Sequence, residues 1–138
     1  MAELSVTHTY RHPPEKVFDA WLDPAIARRF LFATPTGDVV KAEIDPRVGG
    51  KFEFVDRRPE HGDVSHVGEY VEIDRPRRLV FTFAVPQYDP EVTTVALDFE
   101  PVDGGCKVTL SHTDVLPEWR DQTVQGWTMI LASLEAAL

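Results

Sequence analysis

Residues 92–113, VTTVALDFEPVDGGCKVTLSHT, decide the fold. On either side of Asp103-Gly104-Gly105 the inward candidates recur at every second position. They are Val95, Leu97 and Phe99 before the turn, and Val108, Leu110 and His112 after it. A period of two places each trio on one face of a strand, and the glycine-rich turn folds the two strands into a hairpin. The intervening Asp98, Glu100, Lys107, Thr109 and Ser111 suit a wetted face. A sheet with one apolar and one polar face is antiparallel, and it needs a cover.

Toward the N-terminus the same period continues. Strands are predicted near 38–44, 50–57, 65–74, 78–85, 92–100 and 105–113, with turn chemistry at 46–50, 59–62, 75–76, 86–90 and 103–105. A first strand at 4–11 has Leu4, Val6, His8 and Tyr10 on one face, and His12-Pro13-Pro14 ends it. PPEKVFDAWLD, residues 13–23, reads as a short helix with Val17, Phe18, Trp21 and Leu22 inward. Asp23 is placed to cap a second short helix that buries Ile26, Phe30 and Leu31.

The cover comes from the other direction. Across 117–138, Val124, Trp127, Ile130, Leu131, Leu134 and Leu138 recur at spacings of three and four, the stripe of an amphipathic helix. About 20 residues at 1.5 Å each span roughly 30 Å, enough to cross six or seven strands. The reading is a single α+β domain over residues 1–138. A curved antiparallel sheet of six to seven strands wraps a long C-terminal helix, with two short helices after the first strand.

Bulk properties narrow the partners. With 14 Lys and Arg against 23 Asp and Glu, the net charge is −9 and the pI near 4.9, which argues against nucleic acid and anionic membrane surfaces. No apolar run reaches the roughly 20 residues of a membrane helix, so no membrane insertion is expected, and the N-terminus lacks a signal-peptide core. The single cysteine, Cys106, excludes an internal disulfide and shares the parity of Val108, as a small core residue would. The expected location is the cytoplasm.

The inward set is rich in large rings: Phe52, Phe54, Phe81, Phe83, Phe99 and Trp127, with Leu131 beside them. Such residues either line a ligand cavity or fill the space themselves; the pattern allows both. Three polar residues share that face by parity: His8, His112, and Glu69, taken in register with Val71 and Ile73. An imidazole near a carboxylate can orient a ligand or carry a proton near neutral pH. At strand ends the same residues simply meet water or backbone. His112, just before the loop into the long helix, is expected at the cavity rim.

Other constellations fail on geometry. Ser111 and His112 are neighbours on a strand and point to opposite faces, so no triad forms with Asp114. His61 and His66 flank a predicted hairpin loop without a third metal ligand at a recognisable spacing. No phosphate-loop motif occurs. Neither a metal nor a cofactor is expected, and no catalytic residue is assigned.

The stretches HPPEKVFDAWLDPAIARRF at 12–30, DPRVGGKFEF at 45–54 and GEYVEIDRPRRLVFTF at 68–83 carry a likeness, as do GGCKVTLSHT at 104–113 and GWTMILASLEAAL at 126–138. Their order and spacing resemble the START-like, or SRPBCC, superfamily. Within it they are most similar to stand-alone bacterial proteins related to the C-terminal domain of the activator of Hsp90 ATPase. The family commonly has tryptophan near the end of the second short helix, where this chain has Phe30-Leu31.

The resemblance implies a helix-grip fold with a cavity, and three functions follow from it. The first is binding of a hydrophobic or aromatic small molecule between sheet and long helix, with His112, Glu69 and His8 as polar anchors. The second is an enzyme like the polyketide cyclases and aromatases. The third is a co-chaperone for an Hsp90-type ATPase, although the separate N-terminal domain of the eukaryotic activators is missing here. Either a monomer or a homodimer fits.

Overall fold

A computed structural model describes residues 2–31, 38–59, 62–86, 89–115 and 117–138. Among these, seven antiparallel strands form one curved sheet: β1 Ala2–Tyr10, β2 Asp38–Ile44, β3 Lys51–Arg58, β4 Gly62–Asp74, β5 Arg78–Val85, β6 Asp89–Val102 and β7 Gly105–Val115. Their order across the sheet is β1-β7-β6-β5-β4-β3-β2, so the chain meanders from β2 to β7 and returns β1 to the far edge. Two short helices, α1 Pro14–Ala20 and α2 Pro24–Phe30, precede β2, and α3 Arg120–Ala137 closes the fold. The predicted helix-grip architecture is the observed one.

Local chemistry explains the joints. Asp23 Oδ1 accepts from the Ala25 N–H at 3.0 Å, capping α2 as its position suggests. Val102 pairs with Gly105 across a two-residue connection in which Gly104 takes φ 77°, a conformation that favours glycine. The predicted turns at 59–62 and 86–90 lie partly outside the described residues. The helix expected from residue 117 instead begins at Arg120, because Pro117–Trp119 forms a 3₁₀ turn first.

α3 packs on β1 and α2. Trp127, Leu131 and Leu134 are its buried face, and the Tyr10 hydroxyl donates to the Leu131 carbonyl at 2.7 Å. That bond ties the edge strand to the middle of the helix. Gly126 lies within α3, and a methyl group there would meet no atom within 4 Å. A helical glycine with open space carries only the entropic cost of its freedom. Gly126→Ala is therefore expected to raise stability by about 0.5–1 kcal/mol, read as a higher urea midpoint at unchanged slope.

Candidate functional site

The inner face of the sheet divides into two aromatic groups. In the first, Phe52 touches Phe54, Tyr70 and Phe81 at ring-centre distances of 6.1, 5.6 and 5.4 Å. All four are buried. The second lies under α3, where Phe83 sits 6.0 Å from Trp127, 5.8 Å from His112 and 6.2 Å from His66. Phe83 itself is only partly buried. Phe99 belongs to neither group; it packs edge-on to Phe18 of α1 at 5.1 Å. Leu131 is fully buried in the core.

Of the three polar residues, Glu69 does not stand where parity put it. Glu69 is exposed on the outer face, and the reason is a bulge. The β4–β5 register shifts between Tyr70 and Glu72, so Tyr70 and Ile73 both turn inward. Counting back from Ile73 across that extra residue assigns Glu69 to the wrong side. His8 keeps its parity but sits on an edge strand, and its Nε2 reaches Glu135 of α3 at 2.8 Å, away from the ring cluster.

His112 is interior rather than at a rim, with 3% exposure. The Trp127 indole N–H donates to its Nδ1 at 3.0 Å, and an indole can only donate. Nδ1 must therefore be the bare acceptor, and Nε2 carries the proton. That proton goes to Thr93 Oγ1 at 2.6 Å, and the Thr93 hydroxyl donates onward to the Phe83 carbonyl at 3.0 Å. The chain of bonds joins α3, β7, β6 and β5 through one neutral imidazole. Burial depresses its pKa to about 4, with Asp114 acting weakly the other way.

His66 is the residue the sequence reading missed. β4 begins at Gly62, so His66 lies within the strand and points inward with Val64 and Tyr70. Its Nδ1 lies 3.3 Å from the Phe54 carbonyl, which fixes Nδ1 as the protonated nitrogen. Burial pushes its pKa down to about 4 as well, against the pull of that carbonyl. The signal was available: His66 alternates with Val64 and Gly68 and sits four residues from Tyr70.

What remains is a cluster of rings around a half-open phenylalanine, flanked by two imidazoles held neutral. Asp56, buried on the inward side of β3, accepts from Arg58 Nε at 2.9 Å. Among the described residues no group of three or more His, Cys, Asp or Glu side chains is arranged to hold a metal ion. No helix of the chain's described part is long and apolar enough to cross a membrane. Cys106 is buried in the core, and burial raises its thiol pKa to about 11, the reverse of an activated nucleophile.

Comparison with known proteins places these features in context. A family model described as activator of Hsp90 ATPase homolog 1-like protein matches residues 11–138. A crystallised protein from Chromobacterium violaceum is 21% identical, covering 100% of this chain and 98% of its own, with a TM-score of 0.85. An AHSA1-like protein from Aeromonas hydrophila is 22% identical, covering 99% and 91%, with a TM-score of 0.80. CalU16 from Micromonospora echinospora is 21% identical over 98% of this chain and 74% of its own, at 0.74. At such identities the likeness establishes the shared fold. No curated protein matches by sequence.

Proposed function

The chain belongs to the activator of Hsp90 ATPase homolog 1-like family, and from that membership we propose that it is a binding protein for a hydrophobic or aromatic small molecule, held between the sheet and α3. One observation carries the reading. Phe83 keeps access to solvent while the other inward phenylalanines are closed off, and its neighbours are His66, His112 and Trp127. Rings of this kind offer a guest large contact area, and a few neutral polar groups orient it. Because both imidazoles are held uncharged, the wall suits a neutral guest better than an anion.

Binding is favoured over catalysis by the same geometry. A general base needs a nitrogen within reach of substrate, and both nitrogens of His112 are already committed to Trp127 and Thr93. Residues 1–138 then act as one ligand-holding unit. The test is a thermal-shift titration against fatty acids, sterols, flavonoids and aromatic polyketides. A ligand at a hundred times its Kd adds about 2.7 kcal/mol, which lifts the midpoint of a chain this size by roughly 5–15 °C. The rise should saturate and disappear in a folded Phe83→Ala variant. A flat response to every class, or a shift that Phe83→Ala leaves intact, would sink the reading.

A further inference from the structure

At the other end of the inner face, the end of α1 and the end of α2 border a partly open cavity of about 10 Å³ lined by Trp21, Leu31, Phe52, Tyr70, Leu79 and Phe81. Its size and its polarity point in one direction. Phe52 stands edge-on to Phe81 at 89° and tilts against Tyr70, and Trp21 is braced by Phe30 at 5.2 Å, so the walls support one another. A volume of about 10–15 Å³ is the room one water oxygen needs. Four aromatic walls resemble a cage for a quaternary ammonium, but such a group is several times too large.

A cavity lined only by carbon would stay dry. This one includes Trp21, which is 1% exposed and whose Nε1–H meets no acceptor among the described residues. An indole N–H cannot accept, so it calls for an oxygen. Tyr70 contributes a buried phenol, which can donate or accept, and burial with the nearby Asp45 carboxylate keeps that phenol protonated. We propose that this cavity is a binding site for a single neutral oxygen, an ordered water, that accepts from Trp21 Nε1–H and bonds to the Tyr70 hydroxyl. The water bridges the end of α1 to β4, independently of any guest at Phe83.

Two measurements on the intact protein test it. With the indoles labelled with nitrogen-15, the Trp21 Hε1 signal, identified by its loss in Trp21→Phe, should show magnetisation transfer from a bound water. That transfer should weaken or vanish in Tyr70→Phe, which keeps the ring. Trp127, bonded to His112, serves as the buried control without water. The second readout is a melting-temperature cycle. Either single variant breaks the same bridge, so the double variant should lose less than the sum of the two. No water contact at Trp21 Hε1 in the wild-type protein, or losses that simply add, would overturn the proposal. If Trp21→Phe fails to fold, the Trp21 signal is identified instead by its through-space contacts with the Phe30 ring 5.2 Å away, so the water transfer can still be read.

Discussion

Lowering the pH from 7 to 5 is expected to cost this protein about 4 kcal/mol of stability, and two buried histidines are the reason. His66 and His112 both have folded-state pKa values near 4, against 6.5 for an unhindered imidazole. A depressed pKa means that the unfolded chain binds protons the folded one refuses. The stabilisation is therefore complete above pH 6.5 and is lost as pH falls toward 4. Each shift corresponds to roughly 3 kcal/mol when fully expressed. The pair together approaches the lower end of the 5–15 kcal/mol that holds an ordinary domain. Between pH 6 and 4.5 the slope should approach two protons, about 2.7 kcal/mol per pH unit.

The bonding of His112 gives a reason independent of burial. A second proton would have to sit on Nδ1, facing the Trp127 N–H at 3.0 Å, with two donors opposed and no acceptor between them. Protonation must break the link between α3 and β7. Urea titrations at half-unit pH steps would measure the slope. His112→Gln, whose amide can accept from Trp127 and donate to Thr93, should remove one proton from it. The lowered carboxylate pKa values of Asp19 and Glu53 act at lower pH and arise from exposed ion pairs, which contribute little. Unchanged stability between pH 7 and 5 would refute the assignment of both histidines as neutral interior groups.

How much of this was legible in sequence depends on what each feature rests upon. Strand alternation, the Asp103-Gly104 turn, the Asp23 cap and the stripe of α3 are local, and local spacing was enough to read them. Parity counts fail wherever the backbone inserts a residue. The bulge after Tyr70 has no marker in YVEID, so parity points Glu69 inward while the structure turns it out. His66 escapes for a different reason: a strand read from residue 65 puts it beside a loop, whereas Gly62 already pairs with Arg58. That Phe52, Phe54, Phe81, Phe83 and Trp127 face inward was legible, but the division into a closed group around Phe52 and a more open one around Phe83 was not. That division is set by how neighbouring side chains fill volume across strands, which no one-dimensional pattern records.

Gly68 shows how such a division is built, and Gly68→Ala is expected to be strongly damaging. It lies in β4 opposite Phe52. A Cβ there would stand 1.9 Å from the Thr82 carbonyl oxygen and 2.4–2.5 Å from Cε2 and Cζ of Phe52. The ring cannot swing aside freely, because Phe54, Tyr70 and Phe81 hold it on three sides. The carbonyl belongs to the backbone of β5, so the strands would have to part. Overpacking that also displaces backbone should cost about 3 kcal/mol or more, visible as a large fall in urea midpoint. Gly62→Ala is the control: it has φ 71° but open space, and should cost only about 1–2 kcal/mol of backbone strain. Near-equal losses from the two would mean that Phe52 does not rest in the Gly68 hollow. If it does, that missing side chain is what lets Phe52 settle onto the sheet and close its end of the inner face, leaving Phe83 as the inward ring that keeps contact with solvent.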